Sequence, residues 1–209
     1  MLLQPHQRTK LDDSDDTLFY DYPRFVTHVD DAFIKTLTQL YRDRLQPNTR
    51  ILDLMSSWVS HLPEEIAFAH IEGHGMNEEE LARNPRLDRY FLRDLNQNPQ
   101  LTLPDESFDA VLNTASVQYL QYPEAVFSEI HRILKPGGIA IFSFSNRMFF
   151  QKAIQLWRDS SEAQRVKIVE RYFTSHPGFE TPEVIQNASS RLPFWGNDPF
   201  YAVLAYKKA

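Results

Sequence analysis

Arg50-Ile51-Leu52-Asp53-Leu54-Met55-Ser56-Ser57-Trp58-Val59-Ser60 passes in one step from an apolar run to small hydroxyl residues. Ile51-Leu52-Asp53-Leu54, apolar apart from one acid, has the makeup of a strand covered on both faces of a parallel sheet. Met55-Ser56-Ser57 supplies the turn after it. In open α/β sheets ligands gather outside the carboxyl ends of such strands, which puts a pocket over this turn.

On the amino-terminal side of this stretch, Phe33, Ile34, Leu37, Leu40, Tyr41 and Leu45 recur at helical spacing between Val29 and Leu45, and Pro47-Asn48 ends that helix. On the other side, Pro63-Glu64-Glu65 has the proline and first-turn acids of a helix start. A second strand is expected at Phe68–Ile71, ending at Gly73-His74-Gly75, then a short helix at Glu78–Arg83. Tyr90–Leu92 and Phe108–Leu112 are the third and fourth strand candidates. Pro123–Leu134 is an amphipathic helix stopped by Lys135-Pro136-Gly137-Gly138, and Ile139–Phe144 is a fifth strand, apolar almost throughout. Met148–Trp157 and Glu162–Phe173 read as helices broken at Asp159-Ser160-Ser161. Pro177–Gly196 holds turn residues around a weak strand near Val184, and Phe200–Tyr206 closes the chain as a strand. Strands alternating with helices, without repeats, predict a doubly wound, Rossmann-like α/β fold with helices on both faces of a mostly parallel sheet.

The 209 residues suit a single domain over 1–209 with a sizeable core, divided into an N-terminal lid and helix (1–47), a central core (48–145) and a helical insertion with closing strands (146–209). A net charge of −6 argues against DNA, because phosphate binding needs a basic surface. The absence of cysteine excludes disulfides, thiolate nucleophiles and cysteine-held metals. His70 and His74 are four apart on a strand and its turn, with only His61 as a third ligand nearby, so no metal site is expected. Met1–Lys10 has no signal-type apolar core and no run reaches membrane-spanning length; the expectation is a soluble, cytoplasmic protein. Residues 1–16, ending in Asp12-Asp13-Ser14-Asp15-Asp16, read as a solvated terminus. The ring-rich stretch Phe19–Phe25 either anchors to the domain or closes over a ligand.

Leu103-Pro104-Asp105-Glu106-Ser107-Phe108-Asp109-Ala110-Val111 and Glu129-Ile130-His131-Arg132-Ile133-Leu134-Lys135-Pro136-Gly137-Gly138, in order after ILDL, resemble the class I S-adenosylmethionine-dependent methyltransferases, particularly their small-molecule group, type 11-like. The resemblance covers roughly residues 48–145 and implies a seven-stranded sheet. These motifs are strand entry, helix stop and tight turn, so they speak for fold more than for catalysis. The cofactor loop departs from the family. Where its D-x-G-x-G-x-G pattern has glycines, this chain has Met55, Ser57 and Val59. The acid that ends the family's second strand and accepts from the ribose hydroxyls falls on Gly75.

What the resemblance implies for the site is as follows. S-adenosylmethionine is the cofactor, left as S-adenosylhomocysteine. Asp53 holds its methionine end or caps the serine turn, with Met55, Ser56, Ser57 and Trp58 around it. Asn77, or a glutamate nearby, replaces the ribose acid. Asp94 meets the adenine amino group with the Leu95 amide beside it. Asn113, ending the fourth strand, faces the methyl group. Tyr20, Tyr22, Tyr119 and Asn146 are the acceptor-side candidates, and His28, with Tyr22 and Asn113, the catalytic ones, because a histidine there can take a proton near neutral pH. Phe149, Phe150, Ile154 and Trp157 form a stripe that packs the core or roofs a hydrophobic or aromatic acceptor. Two functions stand open: a methyltransferase acting on a small acceptor, or a methyltransferase-like module that binds a protein or apolar ligand without using the cofactor. Trp58 separates them, since an indole filling the cofactor cavity favours the module and one lining it favours the enzyme.

Overall fold

The computed structural model describes residues 2–187 and 197–209. Seven strands form one sheet: β1 (Arg50–Leu54), β2 (His70–Gly75), β3 (Arg89–Leu92), β4 (Phe108–Thr114), β5 (Leu134–Phe144), β6 (Glu183–Asn187) and β7 (Phe200–Tyr206). Their order is β3-β2-β1-β4-β5-β7-β6. The first five are parallel, and β7 runs antiparallel to both of its neighbours. The winding direction reverses between β1 and β4, where Ile51 pairs with Ala110 and Asp53 with Leu112. A crevice opens beyond the carboxyl ends of strands at such a reversal. The helices are α1 (Asp16–Tyr20), α2 (Asp31–Arg44), α3 (Glu78–Ala82), α4 (Pro123–Ile133), α5 (Gln155–Arg158) and α6 (Glu162–Thr174).

Two cores lie on the two faces, sorted by the period-two alternation of the strands. Ile51, Leu112, Ile141 and Leu204 face Phe33, Leu37, Leu40 and Tyr41 of α2. Their neighbours Leu52, Val111, Phe142 and Val203 face α4 and α6, where Phe127, Ile130, Tyr172 and Phe173 are buried. Leu37, with no exposed surface, contributes roughly 2 kcal/mol by burial alone. α2 starts where the Asp30 carboxylate accepts the Phe33 N–H at 2.8 Å.

Four local expectations are corrected. Pro63-Glu64-Glu65 starts no helix: the Asn48 N–H donates to the Ala67 carbonyl and the Ala69 N–H to that of Thr49, which draws the crossover out beside the entry to β1. The helix expected at Met148–Trp157 shrinks to α5, because long-range acceptors take its amides: Ile154 N–H donates to the Gln118 carbonyl and Gln155 N–H to that of Thr9. β5 begins at Leu134 instead of Ile139, with Gly137 at φ +74° and its N–H on the Lys207 carbonyl, so the turn is drawn into the sheet. The acidic terminus is fastened to the domain. Lys152 has no exposed surface and places its Nζ 3.0 Å from Asp12 Oδ2 and 3.2 Å from Asp16 Oδ1. Arg8, also buried, pairs with Glu124 of α4. The reading that ended at Gly196 runs into 188–196, outside the described residues. Among the described residues no helix is long and apolar enough to cross a membrane.

Candidate functional site

An open cleft with a cavity volume of about 130 Å³ lies beyond the carboxyl ends of β1, β2, β3 and β4. The strap of residues 16–28 forms its outer wall. Met55 leaves β1 with φ +57° and Ala115 leaves β4 with φ +53°, both left-handed conformations that side chains other than glycine rarely adopt. Met55 occupies the position of the first missing glycine and keeps the backbone shape a glycine would take. The loop is held from below by His74: the Met55 N–H donates to His74 Nδ1 at 3.1 Å and the Ser56 N–H to the His74 carbonyl at 2.7 Å. With Nδ1 accepting, Nε2 carries the proton and donates to the Arg93 carbonyl at 2.9 Å. Burial pushes the His74 pKa down to about 4, so the ring is neutral.

Asp53 sits under the same loop, 4% exposed, and its Oδ2 accepts the Ser56 hydroxyl at 2.6 Å. Burial outweighs that hydrogen bond and raises its pKa to about 6. At the end of β2 a side chain has no room: a Cβ on Gly75 would come 2.8 Å from the Ser56 carbonyl oxygen and 3.2 Å from Leu81. Asn77 lines the cleft but is committed to the fold. Its Oδ1 accepts the Glu80 N–H, and its Nδ2 donates to the carbonyls of Tyr20 and Asp21. Glu80 is the acid that lines the cleft here. It accepts the Arg24 N–H on Oε1 and the Ser57 hydroxyl on Oε2, both at 2.6 Å, so it ties the strap to the loop after β1.

Beyond β3, Asp94 lines the cleft, its Oδ1 accepts the Asn96 N–H at 2.8 Å, and its Oδ2 has no partner among the described residues. The buried Leu95 N–H meets no acceptor among the described residues. A free carboxylate oxygen beside a free amide is a donor–acceptor pair that suits the edge of an adenine. On the strap side, Tyr20 and His28 line the cleft opposite Tyr119 and Phe149. The Tyr119 hydroxyl accepts the Phe149 N–H at 2.8 Å, and burial raises its pKa to about 12. Burial also holds the Tyr20 phenol far above its usual range, so both stay neutral. The His28 pKa is lowered, by burial first and by the Arg24 charge, against an opposing pull from Glu80; the ring is neutral at pH 7.

Of the cofactor, acceptor and catalytic candidates named from sequence, four do not line the cleft; of the aromatic stripe Phe149 lines it, while Ile154 and Trp157 are buried in the core and Phe150 is exposed. Tyr22 is 77% exposed, and Asn146 is exposed too. Asn113 is buried inside the sheet, its Nδ2 donating to the Leu54 carbonyl at 3.0 Å. Trp58 neither fills the cavity nor lines it. Its indole N–H donates to the Val26 carbonyl at 3.1 Å and its ring meets Phe25 edge-on, so it pins the strap from outside. Sequence reasoning missed Arg24 and Ser116, whose buried hydroxyl has no partner among the described residues. Arg24 lay hidden among rings, and Ser116 carried no motif.

This strand order, with its cleft at the switch between β1 and β4, is the class I S-adenosylmethionine-dependent methyltransferase fold, and the family's cofactor is S-adenosylmethionine. Residues 70–142 match the family profile described as a methyltransferase domain. Malonyl-[acyl-carrier protein] O-methyltransferase of Marinomonas sp. (strain MWYL1) is 24% identical over 114 residues, 52% of this chain and 41% of that protein. A solved S-adenosylmethionine-dependent methyltransferase of Thermotoga maritima superposes with a TM-score of 0.58 at 21% identity, covering 85% of this chain and 90% of that one. Haemonchus contortus phosphoethanolamine N-methyltransferase 2, solved with S-adenosyl-L-methionine, gives 0.58 at 16% identity over 84% of this chain and 52% of that one. The chain spans less than half the length of the curated relatives it matches.

The acceptor and donor at Asp94 and Leu95 suit the chemistry of an adenine edge, while Asp53 sits beneath the loop with its Oδ2 on the Ser56 hydroxyl. Where the family has its ribose acid, Gly75 offers no side chain, and Glu80 is a nearby cleft-lining acid whose two oxygens already accept from Arg24 and Ser57.

Proposed function

We propose that the chain is a methyltransferase that uses S-adenosylmethionine to methylate a small acceptor with an apolar or aromatic body. The observation that carries this reading is the free Asp94 carboxylate oxygen beside the free Leu95 amide, in a cleft that Trp58 leaves open. Asp94 and Leu95 would hold the adenine, Glu80 the ribose hydroxyls, and Asp53 the cationic methionine end. The cofactor, when bound, supplies a methyl group already activated on a sulfonium. The protein's share is therefore orientation and exclusion of water more than acid–base chemistry.

The strap does much of that work. Asn77 and Glu80 tie it to α3, and Trp58 ties it to the loop after β1, so the cleft's outer wall is built by the chain's own terminus. His28 is the group placed to take a proton from the acceptor, since it is neutral near pH 7 and faces the cleft. Tyr20, Tyr119 and Phe149 form the wall for the acceptor's rings or chain. Incubation with S-adenosylmethionine labelled in its methyl group, across a panel of small aromatic and aliphatic acceptors, tests the reading. Label should pass to at least one acceptor and fall sharply in His28→Ala. Transfer to no acceptor, by a protein shown to bind the cofactor, would contradict it.

A further inference from the structure

Two arginines line the cleft without a carboxylate within 4.0 Å among the described residues. Arg93 reaches away to the Gln100 carbonyl at the surface. Arg24 is held inside. Its guanidinium carbon lies 4.5 Å from the ring centroid of Phe19 and 5.4 Å from that of Phe149, both within cation–π range. Nη2 donates to the Phe19 carbonyl at 2.8 Å and Nη1 to the Tyr22 carbonyl at 3.2 Å. A guanidinium has five N–H donors, so three remain.

The other inward cations of this strap region are neutralised: Arg8 by Glu124, Lys10 by Asp16, and Lys152 by Asp12 and Asp16. A half-buried charge with spare donors is costly unless an anion completes it. The surroundings of Arg24 specify the rest of that anion. Phe149 stacks on Tyr119 with centroids 6.0 Å apart and meets His28 edge-on at 5.3 Å, which makes an apolar wall beside the guanidinium.

We propose that Arg24 determines acceptor specificity: it binds the carboxylate of an organic acid whose apolar body lies against Phe149 and Tyr119. This rests on the methyltransferase reading above. The two backbone hydrogen bonds and the ring contacts fix the fork in advance, and a guanidinium fixed this way favours a planar anion over its neutral isostere.

The test is calorimetric titration of the S-adenosylhomocysteine-loaded protein with phenylacetate and with phenylacetamide, repeated without the cofactor product. The acid should bind at least about tenfold more tightly than the amide, as expected for a charge-assisted pair. Arg24→Gln should abolish that preference while S-adenosylhomocysteine affinity holds, with a modest fall in melting temperature from the lost strap contacts. Arg24→Lys, which keeps the charge but not the fork, should retain part of it and serves if the glutamine variant fails to fold. Equal binding of acid and amide, or no binding of the acid, overturns the proposal. So does an Arg24→Gln that weakens S-adenosylhomocysteine as much as the acid, for then the cofactor's own carboxylate is the partner. A protein that prefers the acid but binds no S-adenosylhomocysteine sinks the methyltransferase reading and leaves the anion site standing.

Discussion

Asp53 carries a cost that its position explains. A carboxyl with a folded pKa of about 6, against 3.8 when free, holds its proton better in the folded state. Its contribution to stability is therefore present at pH 4 and below, and is lost as the pH rises through 6. Asp53→Asn should raise unfolding free energy at pH 7.5 by on the order of 3 kcal/mol, and change it little at pH 3. Denaturant melts at the two pH values measure this; equal effects at both would show that Asp53 ionises as freely as a surface acid. The wild-type acid is kept at that cost, which fits a residue that meets a cationic ligand. Asp53 was legible in the sequence because a lone acid in an apolar strand stands out. Met55 was not. Its left-handed backbone gives the loop a glycine-like turn without a glycine, and side-chain identity alone says nothing of φ.

At the scale of elements, the end of β2 and the strap answer to each other. Restoring the family's acid with Gly75→Asp should destabilise the protein by roughly 1–3 kcal/mol, because the new Cβ meets the Ser56 carbonyl and Leu81, and it should bring no gain in cofactor affinity. A variant as stable as the wild type that binds S-adenosylmethionine more tightly would mean that the strand end has room after all. Lys152 is the strap's buried anchor, and removing one partner of a buried ion pair is strongly destabilising. Lys152→Met should cost roughly 3 kcal/mol and speed proteolytic cutting between Asp12 and Arg24. Unchanged cutting would show that the strap holds without it. The strands and α4 were readable from local period and turn chemistry: ILDL, the apolar run to Phe144, and the glycines at 137 and 138. The strap was not, because its partners lie from about thirty residues away at Trp58 to well over a hundred at Lys152, and an acid run looks the same whether it meets water or a buried lysine.

Over the whole molecule, a sheet of seven strands brings residues from four strand ends and the amino-terminal strap to one cleft. That convergence follows from the strand order; the alternation of elements predicted the doubly wound class but not the order itself. The cleft's lining is this chain's own: serines tied to acids, a crowded glycine at the end of β2, and an arginine boxed by rings. Trp58 was expected to decide between enzyme and binding module by filling or lining the cavity; it does neither, so it does not separate the two. The most direct measurement is calorimetric titration of the folded protein with S-adenosylmethionine and S-adenosylhomocysteine, in the wild type and in Asp94→Ala. The account predicts one site for each ligand, weakened about tenfold or more by the loss of a charged hydrogen-bond acceptor at the adenine. No heat with either ligand at several temperatures, or an affinity indifferent to Asp94, would contradict it.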